Sequence, residues 1–133
     1  MRWVGHQGSQ FLGEVAYHEY EGISDDVAEK ELIMDSLGGT ASVLIMRNHG
    51  YCTLGKTVGQ AWVRAWYLEK CCQLQLDVMA SGGTIHYPGA GAMQKGKQQY
   101  EGDFESGLWE WPAIMRKWRR VAQQCHVPPR SRM

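Results

Sequence analysis

The stretch Ala41-Ser42-Val43-Leu44-Ile45-Met46-Arg47-Asn48-His49-Gly50 decides how the rest of the chain reads. Its first six residues form a continuous apolar run, the pattern of a strand covered on both faces by helices. The polar quartet Arg47-Asn48-His49-Gly50 breaks the run, and Tyr51-Cys52-Thr53-Leu54-Gly55 resumes strand chemistry. The quartet therefore belongs at a strand's end or in the tight connection between two strands, where His49 stands at the rim of a sheet.

Upstream, Gly13-Glu14-Val15-Ala16-Tyr17-His18-Glu19-Tyr20 alternates, which predicts a short strand with Val15 and Tyr17 on one face and Ala16 and His18 on the other. Between the two strands, Val27, Leu32, Met34 and Leu37 recur at helical spacing. Ser24 or Asp25 serves as a cap and Gly38-Gly39 as a stop, so a helix is expected from about Asp25 to Leu37. Its acidic first turn suits the helix dipole.

Downstream, Thr57 caps the longest helix, whose Ala61, Ala65, Leu68, Cys72, Leu76 and Met79 share one stripe before Ser81-Gly82-Gly83 ends it. Trp62 and Trp66 flank that stripe four residues apart, a spacing that stacks them side by side. They read as packing or subunit interface rather than as a ligand cage. Residues 84–107 are rich in Gly and polar side chains and read as a loop region, with at most a short helix around Met93 to Tyr100. Residues 1–8 read as an irregular lead-in to a domain spanning 9–83.

Residues 108–126 form an amphipathic closing helix, with Pro112 suited to its first turn and a tail, 127–133, behind it. Leu108, Trp111, Met115, Trp118, Ala122 and Cys125 share one face, while Arg116, Lys117, Arg119 and Arg120 fall largely off it. Docking on its own domain or on a neighbouring subunit makes Trp111 and Trp118 interface residues. A membrane surface or a calmodulin-like partner is the other occupant such a helix admits.

A length of 133 residues suits one domain, and 44% hydrophobic with 21% charged residues is ordinary globular usage. Fourteen basic and fourteen acidic residues leave no net field toward nucleic acid or an anionic surface, so nucleic-acid binding is not expected. The balance hides an asymmetry. Glu14 to Asp35 holds eight acids against Lys30, and Trp109 to Met133 holds six bases against Glu110. Solvated helix faces are one reading of this, and complementary surfaces in an oligomer are the other. No apolar run reaches the roughly 20 residues of a membrane span, and the first residues lack a signal-peptide core. A cytoplasmic protein is expected. Cys52, Cys71, Cys72 and Cys125 show neither a disulfide framework nor zinc-ribbon spacing and read as reduced thiols.

His49 is the residue singled out for chemistry, because a His at the end of a buried strand, followed by Gly, offers its imidazole while the backbone turns away. Both a hydrogen-bonding role and a ligand role remain open for it. Tyr17 and His18, on the neighbouring strand, join Asn48 and Gly50 as the candidate rim of the site. A metal needs three or four ligands, so His49 alone does not define a centre. His6, His86 and His126 fall in segments expected to be exposed. Cys52 follows His49 by three residues but has no orienting third group, and neither a nucleophile elbow, a phosphate-binding loop nor a His-Glu-x-x-His is present.

The ordered set Gly13-Glu14-Val15-Ala16-Tyr17-His18-Glu19-Tyr20-Glu21-Gly22-Ile23, Ser42 to Gly50, and the Gly55–Gly82 helix resembles the class II aldolase/adducin domain, closest to its adducin-like branch. Leu108-Trp109-Glu110-Trp111-Pro112 is similar to the closing helix of bacterial adducin-like members. The resemblance implies an α/β fold, a three-layer α/β/α domain that assembles into homo-oligomers with sites near subunit boundaries. In aldolase members it implies a zinc ion on three histidines that polarises a substrate carbonyl, and His49 matches the third of these. The His-x-His pair and the catalytic carboxylate of that pattern have no counterpart here, and the resemblance implies no nucleotide cofactor.

The expectation is thus a domain truncated on its N-terminal side, by transcript or by gene model, acting as a non-catalytic oligomerising module. Association with the actin and spectrin cytoskeleton is implied by the resemblance. The basic tail on which adducins rely is represented only by Arg130 and Arg132. The alternative is a zinc-dependent aldolase-type enzyme whose other ligands lie in sequence outside this chain.

Overall fold

A computed structural model describes residues 2–22, 27–102 and 107–124. The expected helix cap at Ser24 or Asp25, the face residue Cys125, His126 and the tail lie outside the described residues.

Three strands, β1 (Val15–His18), β2 (Val43–Met46) and β3 (Gly50–Thr53), make one sheet in the order β1-β2-β3. β1 runs parallel to β2 with Val15 opposite Val43 and His18 opposite Met46, and helix α1 (Val27–Leu37) forms the crossover between them. β2 and β3 are an antiparallel hairpin in which Met46 pairs with Gly50. The two-residue period of a strand sorts the side chains into two faces. Val15, Tyr17, Val43, Ile45, Tyr51 and Thr53 share one, toward helix α2 (Val58–Ala80), where Thr53 Oγ1 donates to the Ala61 carbonyl at 2.8 Å. His18, Leu44 and Met46 share the other, toward α1, where His18 Nδ1 lies 2.9 Å from Ser36 Oγ. The fold is α/β with helices on both faces of the sheet, and Val43 and Leu44 are buried on opposite faces as the apolar run predicts.

α2 begins as its sequence dictates. Thr57 Oγ1 accepts from the Gln60 amide at 3.1 Å, which satisfies one orphan donor of the first turn, and Gln60 Oε1 accepts from the Lys56 amide, just before the cap, at 2.7 Å. The buried ridge of α2 differs from the expected stripe: Gly59, Val63, Leu68 and Cys71 are buried, whereas Leu76 and Met79 are exposed. The helix is apolar around much of its circumference, and its partners choose the ridge.

Those partners are the main correction to the sequence reading. Residues 1–8, expected to be lead-in, supply Trp3 to the core, where it meets Phe11 from the start of the expected domain, with His6–Phe11 wound as a 3-10 helix. Their rings meet at 5.5 Å, and they join Val43, Leu68, Cys71 and Met93 in one apolar cluster. Met93 comes from α3 (Ala90–Gly102), a helix of 13 residues that contains and extends the short one read around Met93 to Tyr100. α3 can lie close because Gly96 has no side chain: a Cβ there would come within 2.5 Å of Ser9 Oγ. Finally, α4 (Glu110–Gln124) meets α2 where Gly59 admits Trp111; a Cβ on Gly59 would fall 2.9 Å from that of Trp111.

Burial pushes the Cys71 thiol from 9.0 to about 11, with Cys72 beside it adding to the rise. Burial raises the Tyr51 and Tyr100 hydroxyls as well. For groups held protonated by the fold, the stability they contribute is present below the unfolded value and lost as pH climbs through the folded one. The urea midpoint is therefore expected to fall steadily between pH 9.0 and about 11. In the same protein at neutral pH, a thiol reagent should modify exposed Cys52 well before Cys71, and equal rates would contradict the packing.

Candidate functional site

Because β1 and β2 are parallel, their C-terminal ends emerge on the same side, and the β2–β3 hairpin turns there. The connection is Arg47-Asn48-His49, closed by the His49 amide donating to the Met46 carbonyl at 3.1 Å. A three-residue hairpin loop needs a residue in the left-handed region. Asn48 takes it, with φ 57°, a position Asn tolerates better than most side chains. Gly50 is a paired strand residue without positive φ.

His49, Asn48 and Gly50 are exposed on this hairpin. Tyr17 is half-exposed, and the Arg47 guanidinium lies 5.1 Å from its ring centroid while Arg47 Nε pairs with Glu19 Oε1 at 2.7 Å. The Arg47 amide donates to the His18 carbonyl at 3.0 Å, which ties the loop to the end of β1. The rim is thus one place for Tyr17, Asn48, His49 and Gly50. His18 departs from it. Its ring is 5% exposed and turned toward α1, with Nδ1 engaged by Ser36 and Nε2 buried without a partner.

Among the described residues, the donor set does not fit a zinc ion. His49 offers one imidazole, the His18 ring is committed on the other side of the sheet, and among the described residues no group of three His, Cys, Asp or Glu could hold a metal. His6 and His86 are exposed, as expected.

Two features escape sequence reasoning. One is a half-buried charge cluster at the opposite end of β1: Glu14 Oε1 lies 3.1 Å from Lys97 Nζ, its Oε2 lies 3.9 Å from Arg64 Nη2, and Ser42 Oγ donates to the same carboxylate. Nothing in the spacing of residues 14, 42, 64 and 97 announces it. The other is a cavity of about 750 Å³ between the start of α2 and α4, lined by Glu14, Arg64, Gln60 and Trp111 among others. No rim residue lines it.

The tryptophans pair differently from the predicted stack. Trp62 meets Trp111 at 6.5 Å, and Trp66 meets Tyr67 edge-on at 5.0 Å with Lys70 above it. Trp62, Trp66 and Trp118 keep 38%, 45% and 59% of their surface exposed.

A parallel strand pair bridged by a helix, a hairpin carrying a solitary histidine, and a long capped helix behind them define an α/β domain of aldolase-like class. Residues 1–76 match the family described as Class II Aldolase and Adducin N-terminal domain, and the chain belongs to this family. Among its relatives, α-adducin of Rattus norvegicus is 46% identical over 72 residues, 54% of this chain and 10% of that protein. A protein of Caulobacter vibrioides assigned to aldolase class 2 is 33% identical over 108 residues, 80% of this chain and 42% of that protein. The crystal structure of an aldolase II superfamily protein from Pseudomonas syringae superposes with a TM-score of 0.75 at 33% identity, covering 89% of this chain and 47% of that one. The chain thus spans less than half the length of these relatives. The match begins at residue 1, in agreement with the core positions of Trp3 and Phe11.

Proposed function

We propose that this chain is a non-catalytic oligomerising module of the class II aldolase/adducin family, cytoplasmic and associated with the actin cytoskeleton. One observation supports the reading above others: its exposed aromatic surface is large and its metal-binding chemistry small. Trp62, Trp66, Trp109 and Trp118 all stand more than a third exposed, beside Val121 and Leu108. Apolar area of that kind on a small domain is ordinarily covered by a partner. The cytoskeletal part follows from the likeness to adducins, and co-sedimentation with filamentous actin tests it.

Light scattering with elemental analysis on the purified chain tests the main reading. A metal-free oligomer whose mass is unchanged in His49→Ala is the expected result. Stoichiometric zinc that disappears in His49→Ala would overturn it in favour of a second reading, a zinc-dependent aldolase-type enzyme whose remaining ligands and carboxylate come from outside this chain. The exposed placement of His49 on a tight hairpin at the strand ends favours that alternative.

A further inference from the structure

α4 is amphipathic throughout its 15 residues and buries none of them. At 100° per residue, Val121, Ile114, Trp118, Trp111, Ala122 and Met115 follow one another round an arc of about 120°. Lys117 borders that arc on one side and Arg119 on the other. Trp111 anchors the start of the arc against Gly59 and Trp62, while further along Trp118 and Val121 are 59% and 47% exposed.

α1 carries the opposite pattern. Its inner side meets the sheet through Ser36 and the His18 ring. Its outer side presents, in angular order over about 160°, Met34, Glu31, Asp35 and Leu32. Met34 and Leu32 are 57% and 45% exposed, and the two acids lie between them. Among the described residues, no ion pair engages Glu31, Asp35, Lys117 or Arg119.

The two surfaces fit each other but cannot meet within one chain. α1 covers one face of the sheet, whereas α4 packs on α2, which covers the other. We infer that α4 of one copy docks on α1 of a second copy, its apolar arc on Leu32 and Met34 and its basic margins beside Glu31 and Asp35. This rests on the oligomerising reading above and names the faces involved. Such a contact is head-to-tail, so each copy retains a free α1 and a free α4 until a ring closes. The chain is neutral as a whole, while α1 carries Glu29, Glu31 and Asp35 against Lys30 and α4 carries Arg116, Lys117, Arg119 and Arg120 against Glu110, a complementarity that favours a second copy over an anionic lipid surface.

Reciprocal charge reversal tests the contact on the full chain by light scattering. Lys117→Glu with Arg119→Glu, and separately Glu31→Lys with Asp35→Lys, should each weaken association at least about tenfold, as like charges come to face one another. Combining all four changes, or mixing the two double variants, should restore assembly. The four side chains are exposed, so circular dichroism should show each variant folded. An oligomer insensitive to either reversal would overturn this contact while leaving the oligomerising reading intact. A wild-type monomer would overturn both, and its flotation with phosphatidylserine vesicles would assign α4 to a lipid surface instead.

Discussion

Phe11→Ala is expected to cost about 3–5 kcal/mol of folding stability, the range for emptying a buried aromatic site. Phe11 is 1% exposed and packs on Trp3, within a cluster that also draws Val43 from β2, Leu68 and Cys71 from α2 and Met93 from α3. Truncation therefore opens a cavity where four segments meet, and none of them can close it without breaking its other contacts. Set against the ~5–15 kcal/mol that stabilises an ordinary domain, such a loss leaves a marginal fold. Tyr20→Ala is the matched control: Tyr20 is 55% exposed and belongs to none of the surfaces proposed as interfaces, so its loss should change stability by less than about 0.5 kcal/mol. Urea unfolding followed by tryptophan fluorescence and by circular dichroism measures both. A Phe11→Ala cost below about 1 kcal/mol would mean that the segment around Phe11 does not close the core and that something else does.

The contrast between Phe11 and Val43 explains what the sequence makes legible. Val43 lies in an unbroken apolar run, and a run buried on both faces announces itself by length and composition alone. The Thr57 cap, α1 and the hairpin were equally local: each is specified by residues within a few positions of one another. Trp3, Phe11 and Met93 carry no such signal, because their segments are short, Gly-rich and mostly polar, and they become core only through the 3-10 helix and α3 packing under α2. The α2 stripe failed for a related reason. A helix with apolar residues on several sides offers more than one ridge, and Val63 and Cys71 were selected by partners distant in sequence.

The candidate site divides along the same line. The hairpin position of Asn48 and His49 is legible because the break from apolar run to polar quartet is local. His18 departs from the rim although its strand lies where alternation puts it, since alternation assigns a face but not how far the helix covering that face reaches along the strand. It went to α1 and Ser36, while Tyr17 stayed with Arg47 on the other side.

The Glu14 cluster joins residues 14, 42, 64 and 97, and its disruption should have the second largest effect. The Glu14 side chain is 17% exposed, and those of Lys97 and Arg64 are 18% and 24% exposed. Glu14→Ala would leave two cations and the Ser42 hydroxyl half-buried without their shared acceptor. Breaking a fully buried pair costs about 3–5 kcal/mol, and the residual solvent here reduces the expectation to about 2 kcal/mol. Lys97 also donates to the Leu12 carbonyl at 2.7 Å and pairs with Glu101 Oε1 at 3.6 Å, and Arg64 donates to the Leu54 carbonyl at 2.5 Å, so each cation keeps a partner and the loss stays bounded. A cycle of Glu14→Gln, Lys97→Met and the double variant should give a coupling energy of about 1 kcal/mol, measured by urea unfolding. The position of the cluster also fixes its role. Glu14 precedes β1 whereas the hairpin follows its far end, and four strand residues rise about 13 Å. A carboxylate held by two cations at that distance from His49 is a clasp between the entry to β1, α2 and α3. Metal content and native mass should therefore be unchanged in Glu14→Gln even as the unfolding midpoint drops, and a change in either would assign Glu14 to the site instead.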